Sequence, residues 1–520
     1  MTAAHHERMS SVDTAWLRMD RPANSMMIVG VGATATPVRA SDFRRMIEQR
    51  WCCFPRFRHR PVADALGASW VEDEDFDLDA HLREAALPAP AGKRELEILV
   101  AELAGTPLDP RRPLWQFHFV RRYGAGSAWI MRVHHCYADG IAMIRVLLSM
   151  TEQDAAPAMA ARPAARHPAT QPRPRIDLLP VLSWVEQLAQ PAGDIVENAL
   201  AEGARLLEGG IHQLFHPDRA GALAMQAGGM IGEFGKVLLL PDDPDTPLRA
   251  GLGGSKAVAW GKPVPLHEVK TVGRALGCTI NDVLMSTVAG VLGGYLRDQG
   301  FDTSGLKVRA SVPVNLRAAE EPLTLGNRFG LVFVELALGL ANPLHRLYAT
   351  SDTMAALKGS LQPPMTLMTL GLLGVLPAAA QAPAVEIFSR KASVVVSNVP
   401  GPQAPLYLCG QRVSEMYFWV PQSGTIGLGV SLLSYAGRVY FGVISDRELT
   451  ERPDHVAARF APEFEKLLLA ATVGALAMRE REAREQQGAA AGRRRSRPGE
   501  RTSRRSTAAG RHGPRSRPAG

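Results

Sequence analysis

The stretch VHHCYADG, Val133 to Gly140, concentrates residue types that can move protons. Histidine is the side chain whose unperturbed pKa lies near neutrality, so an imidazole here can take a proton from a hydroxyl and return it. Adjacent residues on an extended strand point to opposite faces, so only one of His134 and His135 is expected to face a cleft. The same geometry counts against a shared metal ion, which needs three or four converging ligands; paired zinc histidines on a helix stand at i and i+4. Asp139 sits too close in sequence to brace a ring that also faces substrate. Its expected task is to hold the loop through a charged hydrogen bond, often to an arginine. Gly140 is expected to let the backbone turn into a following helix without a Cβ clash. Ordinary packing of both histidines at a buried strand end is the alternative, and the convergence of imidazoles, carboxylate and glycine weighs against it. There is no GxSxG elbow and no acyl-cysteine motif, so a covalent intermediate is not indicated.

The flanking segments place this motif between a strand and a helix. AWIMRV (128–133) is an apolar run of strand length, and Ile144, Leu147 and Leu148 recur at helical spacing beyond it. NSMMIVGVGA (24–33) also reads as a strand. PLWQFHFVRR (113–122) alternates, with Trp115, Phe117 and Phe119 on one face. ELEILVAELAG (95–105) has helical spacing and ends on glycine. Residues 154–174 turn to alanine and proline without periodicity, a semi-extended linker, and 176–240 look helical. In the second half, Thr279 and Asp282 predict a capped helix with Val283, Leu284, Val288, Val291, Leu292 and Leu296 on its apolar face. Residues 308–317, 392–399, 426–435 and 438–445 read as strands, the last two joined by an Ala436-Gly437 turn. A helix from residue 461 becomes charged toward 485. Both halves therefore mix strands and helices.

At 520 residues the chain exceeds what one hydrophobic core usually holds, so two domains and connecting material are expected. The formal charge of +8 is a property of the tail: ten arginines against one glutamate lie between Arg493 and Gly520, leaving the rest nearly neutral. That tail cannot bury enough apolar surface to fold alone, and it offers electrostatic attraction to anionic lipid or to nucleic acid. No nucleic-acid partner is expected for the near-neutral body. Five cysteines without CxxC spacing fit a reducing cytoplasm rather than a disulfide scaffold. The N-terminus lacks the apolar core of an export signal. In the uncharged stretch 359–385, MTLMTLGLLGVL is the longest part free of proline; twelve residues reach about 18 Å, short of a hydrocarbon core of about 30 Å. It is expected to be a core helix, with a position on a bilayer surface as the alternative.

HHCYADG matches the HHxxxDG motif of the chloramphenicol-acetyltransferase-like acyltransferases, and the surrounding segments resemble one branch, the bacterial wax ester synthase/diacylglycerol acyltransferases. SSVDTAWLRMD (10–20), FDLDAHLREAALPAPAG (76–92) and PLDPRRPLW (107–115) precede the histidines in that branch's order. TINDV (279–283), SVPVNLR (311–317), LGNRFG (325–330), SNVPGP (397–402) and SYAGRVYFGVISD (434–446) follow. The resemblance implies an α/β fold of mixed sheets in two chloramphenicol-acetyltransferase-like domains, with the active site in a channel at their interface. The expected divisions are 1–153, 154–250, 251–478 and 479–520. It implies direct acyl transfer from acyl-CoA, a co-substrate with no further cofactor, to diacylglycerol or a fatty alcohol. The expected location is cytoplasmic, peripheral on the inner membrane face or on lipid droplets. His135 maps onto the general base, with His134, Asp139 and Gly140 as motif support. Asn281 and Asn398 are candidates for oxyanion or channel contacts, and Trp115 for channel lining or packing. Cys136 is a candidate alkylation site. Two other functions remain: an HHxxxDG condensation enzyme with a carrier-bound donor or different acceptor, and a non-catalytic lipid-surface protein.

Overall fold

The computed structural model describes residues 7–64, 67–152, 240–317, 324–358, 360, 362–375, 378–422 and 424–473. The expected linker at 154–174, nearly all of the helical stretch 176–240 and the arginine tail lie outside the described residues. The chain divides into Met1–Ala470, which carries every sheet, and Ala471–Gly520, of which 471–473 are described, as helix.

Two mixed sheets form the body. The first has the strand order 407–408, 411–419, 27–34, 126–134, 115–123, 82–85. Its centre, Gly126–His134, is buried along its whole length, which explains an apolar run without alternation. Trp115, Phe117 and Phe119 face the core, as the alternation of their strand predicts. The second sheet runs 329–336, 308–315, 394–400, 428–435, 438–446, 256–260, and its 308–315, 394–400 and 428–435 strands are mutually parallel neighbours. A small antiparallel sheet joins 7–8, 67–72 and 59–64.

The sheets are not divided by chain half. Gln411–Trp419, late in the sequence, pairs antiparallel with Met27–Thr34, placing Met416 opposite Gly32 and Trp419 opposite Val29. The 251–478 stretch thus supplies the strand that flanks 27–34 on the side away from the histidine strand.

Local sequence chemistry accounts for the helices. Ile280–Asp298 begins with the expected capping box: Thr279 Oγ1 accepts from Asp282 N–H, and Asp282 Oδ2 accepts from Thr279 N–H at 2.8 Å. The helix is buried all round from Asp282 to Leu296 rather than on one face. The 428–435 and 438–446 strands turn at Ala436 and Gly437, both with positive φ (46° and 77°), the backbone of a two-residue hairpin loop.

Residues 365–375 of the expected apolar stretch lie in the helix Gln362–Val375, which packs inward against Ser11–Met19 and the edge strand Phe329–Leu336. Thr366 Oγ1 accepts from Leu331 N–H at 2.6 Å and Gln362 Oε1 from Phe333 N–H at 3.1 Å, so the helix covers donors that an edge strand leaves open. The two helices approach so closely that a Cβ at Gly374 would stand 1.6 Å from Ser11 O. Among the described residues no single helix is long and apolar enough to cross a membrane.

Candidate active site

His134 closes the central strand of the first sheet, and His135 begins the loop that leads to the helix Gly140–Met150. Their rings enter different surroundings. His134 Nδ1 accepts from Cys136 N–H at 3.1 Å, which places the proton of the neutral ring on Nε2, 3.9 Å from Asp20 Oδ1. Burial pushes its pKa down to about 3.

His135 is fixed by its backbone. Its N–H donates to Met26 O at 2.7 Å, and its carbonyl accepts from Asn327 Nδ2 at 2.7 Å. Asn327 is held in turn by Asp13, whose Oδ1 accepts from the Asn327 side chain at 2.9 Å and backbone at 3.1 Å. The imidazole stacks on Trp16, with ring centroids 4.1 Å apart, and meets Phe329 at 5.5 Å. Among the described residues Nδ1 is buried without a hydrogen-bond partner, and the ring stands in the wall of a cavity. Burial is the dominant cause that lowers the His135 pKa to about 4; the Asp139 carboxylate opposes it and His134 adds to it. The ring is therefore neutral at physiological pH.

Asp139 is the N-cap of the following helix, accepting from Ala142 N–H through Oδ1 at 2.9 Å. Its Oδ2 accepts from Arg317 Nη2 at 2.9 Å and from Arg328 N–H at 2.9 Å. Arg317 also donates to Thr324 and Gly326. Two segments distant in sequence are thus tied to the histidine loop by one carboxylate.

His135, Asp139 and Gly140 line a cavity of about 230 Å³. Its opposite wall comes from the second sheet, including Ser311, Asn315, Ser397 and Asn398. Asn398 Nδ2 donates to Asn281 Oδ1 at 2.8 Å. Asn281 itself is exposed and reaches the cavity through Asn398 rather than lining it. A smaller pocket of about 50 Å³, with Met131, Met143, Leu147, Met416 and Phe418 in its wall, shares Gly140 and Val399 with the first. Among the described residues no three histidine, cysteine or acidic side chains cluster as a metal site would require.

Two expectations, those for Gly140 and Cys136, are corrected. Gly140 has no positive φ, and a Cβ there would meet Val399 Cγ2 at 3.9 Å, an ordinary contact; the turn does not demand glycine. Gly140 and Val399 stand in the walls of both pockets. Of the two readings of Trp115, packing is the one that holds: it stacks on His81 at 4.3 Å, its Nε1 donates to Phe57 O at 2.7 Å, and it is not in the wall of the His135 cavity. Cys136 is fully buried and burial holds its thiol well above the ordinary range, so it is no alkylation site. Residue-level reasoning gave no role to Trp16, Arg317 or Asn327, although each stands in a quoted motif.

Residues 9–284 match the wax ester synthase/diacylglycerol acyltransferase catalytic domain and 325–468 the WS/DGAT C-terminal domain. This chain belongs to that family. The acyltransferase is 31% identical over 446 residues to a putative diacylglycerol O-acyltransferase of Mycobacterium tuberculosis, covering 82% of this chain and 89% of the relative. A probable diacylglycerol O-acyltransferase of the same organism is 27% identical over 423 residues, covering 76% and 80%. In fold the acyltransferase matches the wax ester synthase/diacylglycerol acyltransferase from Marinobacter aquaeolei VT8, with TM-score 0.61, 21% identity, and coverage of 89% of this chain and 100% of that one. It also matches the first condensation domain of the calcium-dependent antibiotic synthetase, at TM-score 0.55 and 15% identity, covering 90% and 96%.

Proposed function

We propose that this acyltransferase moves a fatty acyl group from acyl-CoA to the hydroxyl of diacylglycerol, of a long-chain alcohol, or of both, in one direct transfer. What supports this reading is the His135 imidazole in the wall of a largely apolar cavity, its backbone groups hydrogen-bonded and its Nδ1 buried, which makes Nε2 the nitrogen assigned to the substrate hydroxyl. His135 takes the hydroxyl proton as the acceptor oxygen bonds to the thioester carbonyl. Collapse of the tetrahedral intermediate breaks the C–S bond, and the proton passes from His135 to the departing sulfur, giving an ester and CoA thiol. No side chain is acylated, a course supported by the buried, protonated state of Cys136.

Asn398 is the candidate donor to the oxyanion, with Asn281 holding its amide; preorganised donors of this kind are typically worth about 3–4 kcal/mol. Asp139 and His134 shape the loop without touching substrate. The two neighbouring, largely apolar pockets suit a hydrocarbon chain, and an oily acceptor fits an enzyme working at the cytoplasmic membrane face or on lipid droplets.

The test pairs His135→Ala with wild type, using palmitoyl-CoA and separate pools of diacylglycerol and hexadecanol, with neutral lipids resolved afterwards. The variant is expected to fold and to lose ester synthesis by about 10²–10⁴-fold. Turnover within a few-fold of wild type would refute the base assignment. Failure of wild type with every acyl-CoA and alcohol pair would refute the donor and acceptor classes.

A further inference from the structure

Base catalysis at His135 makes an imidazolium, and a buried cation needs a group to stabilise it. Among the described residues no carboxylate accepts a hydrogen bond from this ring. Asp139, on the same loop, gives its oxygens to Ala142 N–H, Arg317 and Arg328 N–H. Asp13, on the facing helix, is engaged by Asn327, and Asp20 stands near His134. Arg317 brings positive charge behind Asp139, and His134 stays neutral.

What lies against the ring is an aromatic face. Trp16 stacks on His135 with its plane 19° from parallel, and Phe329 flanks the same imidazole at 50°. The indole is rigidly presented: its helix starts at a Ser10 cap and is clasped by the close approach at Gly374. An aromatic face attracts a cation through its quadrupole, most strongly for tryptophan and most effectively when water is excluded. Trp16 is 7% exposed and His135 4%, so the stacked faces are shielded from bulk water. The attraction grows as the ring becomes charged, so it lowers the barrier rather than merely tightening the resting state.

We propose that Trp16 is a positioning residue for acyl transfer, its indole face stabilising the imidazolium formed when His135 accepts the hydroxyl proton. The proposal rests on the general-base role of His135. Trp16 exchanges no proton; the charge it faces vanishes when the leaving sulfur is protonated.

The experiment replaces Trp16 in the full chain, by site-specific incorporation, with mono-, di- and trifluorotryptophan. Fluorine withdraws electron density from the ring face while changing its shape little. The expected result is a stepwise fall in kcat, about tenfold across the series or ~1.4 kcal/mol, with KM and Tm as in wild type. Trp16→Phe is expected to fall between wild type and Trp16→Leu. A flat kcat across the fluorinated series, alongside an inactive His135→Ala, overturns the role of Trp16 alone. An active His135→Ala overturns the general-base reading and this proposal with it.

Discussion

Asp139 is the most heavily committed carboxylate near the cavity, and its removal has a calculable consequence. The carboxylate and Arg317 meet at 2.9 Å with side chains 5% and 1% exposed. Removing one partner of such a pair strands the other charge and costs about 3–5 kcal/mol. Asp139→Asn keeps an oxygen that can cap Ala142 N–H, so its loss of stability is expected to stay in that range. Asp139→Ala also forfeits the cap, a further ~1 kcal/mol. Arg317→Met strands the carboxylate with two backbone donors and is expected to cost about as much as Asp139→Asn. The double variant strands no charge, so the pair is coupled by about 2 kcal/mol or more. Equilibrium urea unfolding of wild type, both single variants and the double variant measures this, with ester synthesis assayed in parallel. Activity is expected to fall in each single variant because Gly326 and Asn327 are drawn to the histidine loop through the same contacts. Costs of the two single changes that add to the double within about 0.5 kcal/mol would refute the reasoning.

Acid should weaken the fold through the two histidines. Both titrate lower when folded than the ordinary 6.5, so between pH 6.5 and about 4 the unfolded chain binds protons that the folded chain refuses. At pH 4.5 each histidine then costs roughly 2–3 kcal/mol relative to pH 7, offset in part by buried Asp13 and Asp20, whose pKa values burial raises. Urea midpoints across this window are expected to fall less steeply for His135→Asn than for wild type; parallel curves would contradict the assignment. Gly140→Ala is expected to keep activity and gain up to about 0.5–1 kcal/mol, since the first helical residue has ordinary φ and room for a methyl. Gly140→Val is expected to narrow the join between the two pockets and shift preference toward shorter acyl-CoA chains, measured by chain-length competition. An unchanged chain-length profile would separate the small pocket from substrate binding.

The local part of the site was legible because its chemistry is local. His134, His135, Asp139 and the helix that Asp139 caps lie within one short segment, and strand, turn and helix periodicity surround them. The partners were not legible as partners: Arg317 stands 178 residues from Asp139, and Asn327 192 residues from His135. A charged hydrogen bond to some arginine could be expected of Asp139, but spacing along the chain cannot name which one. SSVDTAWLRMD and LGNRFG marked the segments that carry Trp16 and Asn327 without giving the residues tasks. The apolar strands at 308–315, 394–400 and 428–446 read well because long apolar runs dominate them. Gln411–Trp419 escaped notice because exposed and buried positions mix in its first half, and its pairing partner lies almost the full chain away. Gly140 misled because glycine before a helix is ordinarily explained by backbone geometry, whereas here φ is not positive and a Cβ would meet only an ordinary contact.

The late arrival of Gln411–Trp419 imposes an order on synthesis. Until about four-fifths of the polypeptide has left the ribosome, Met27–Thr34 has its histidine-bearing neighbour on one flank and bare amides on the other. A nascent chain in that state offers an open template for foreign strands, so interrupted translation products should be recruited by chaperones or aggregate rather than persist as half-enzymes. Splitting the gene between the two halves would therefore require both fragments to meet while still being made.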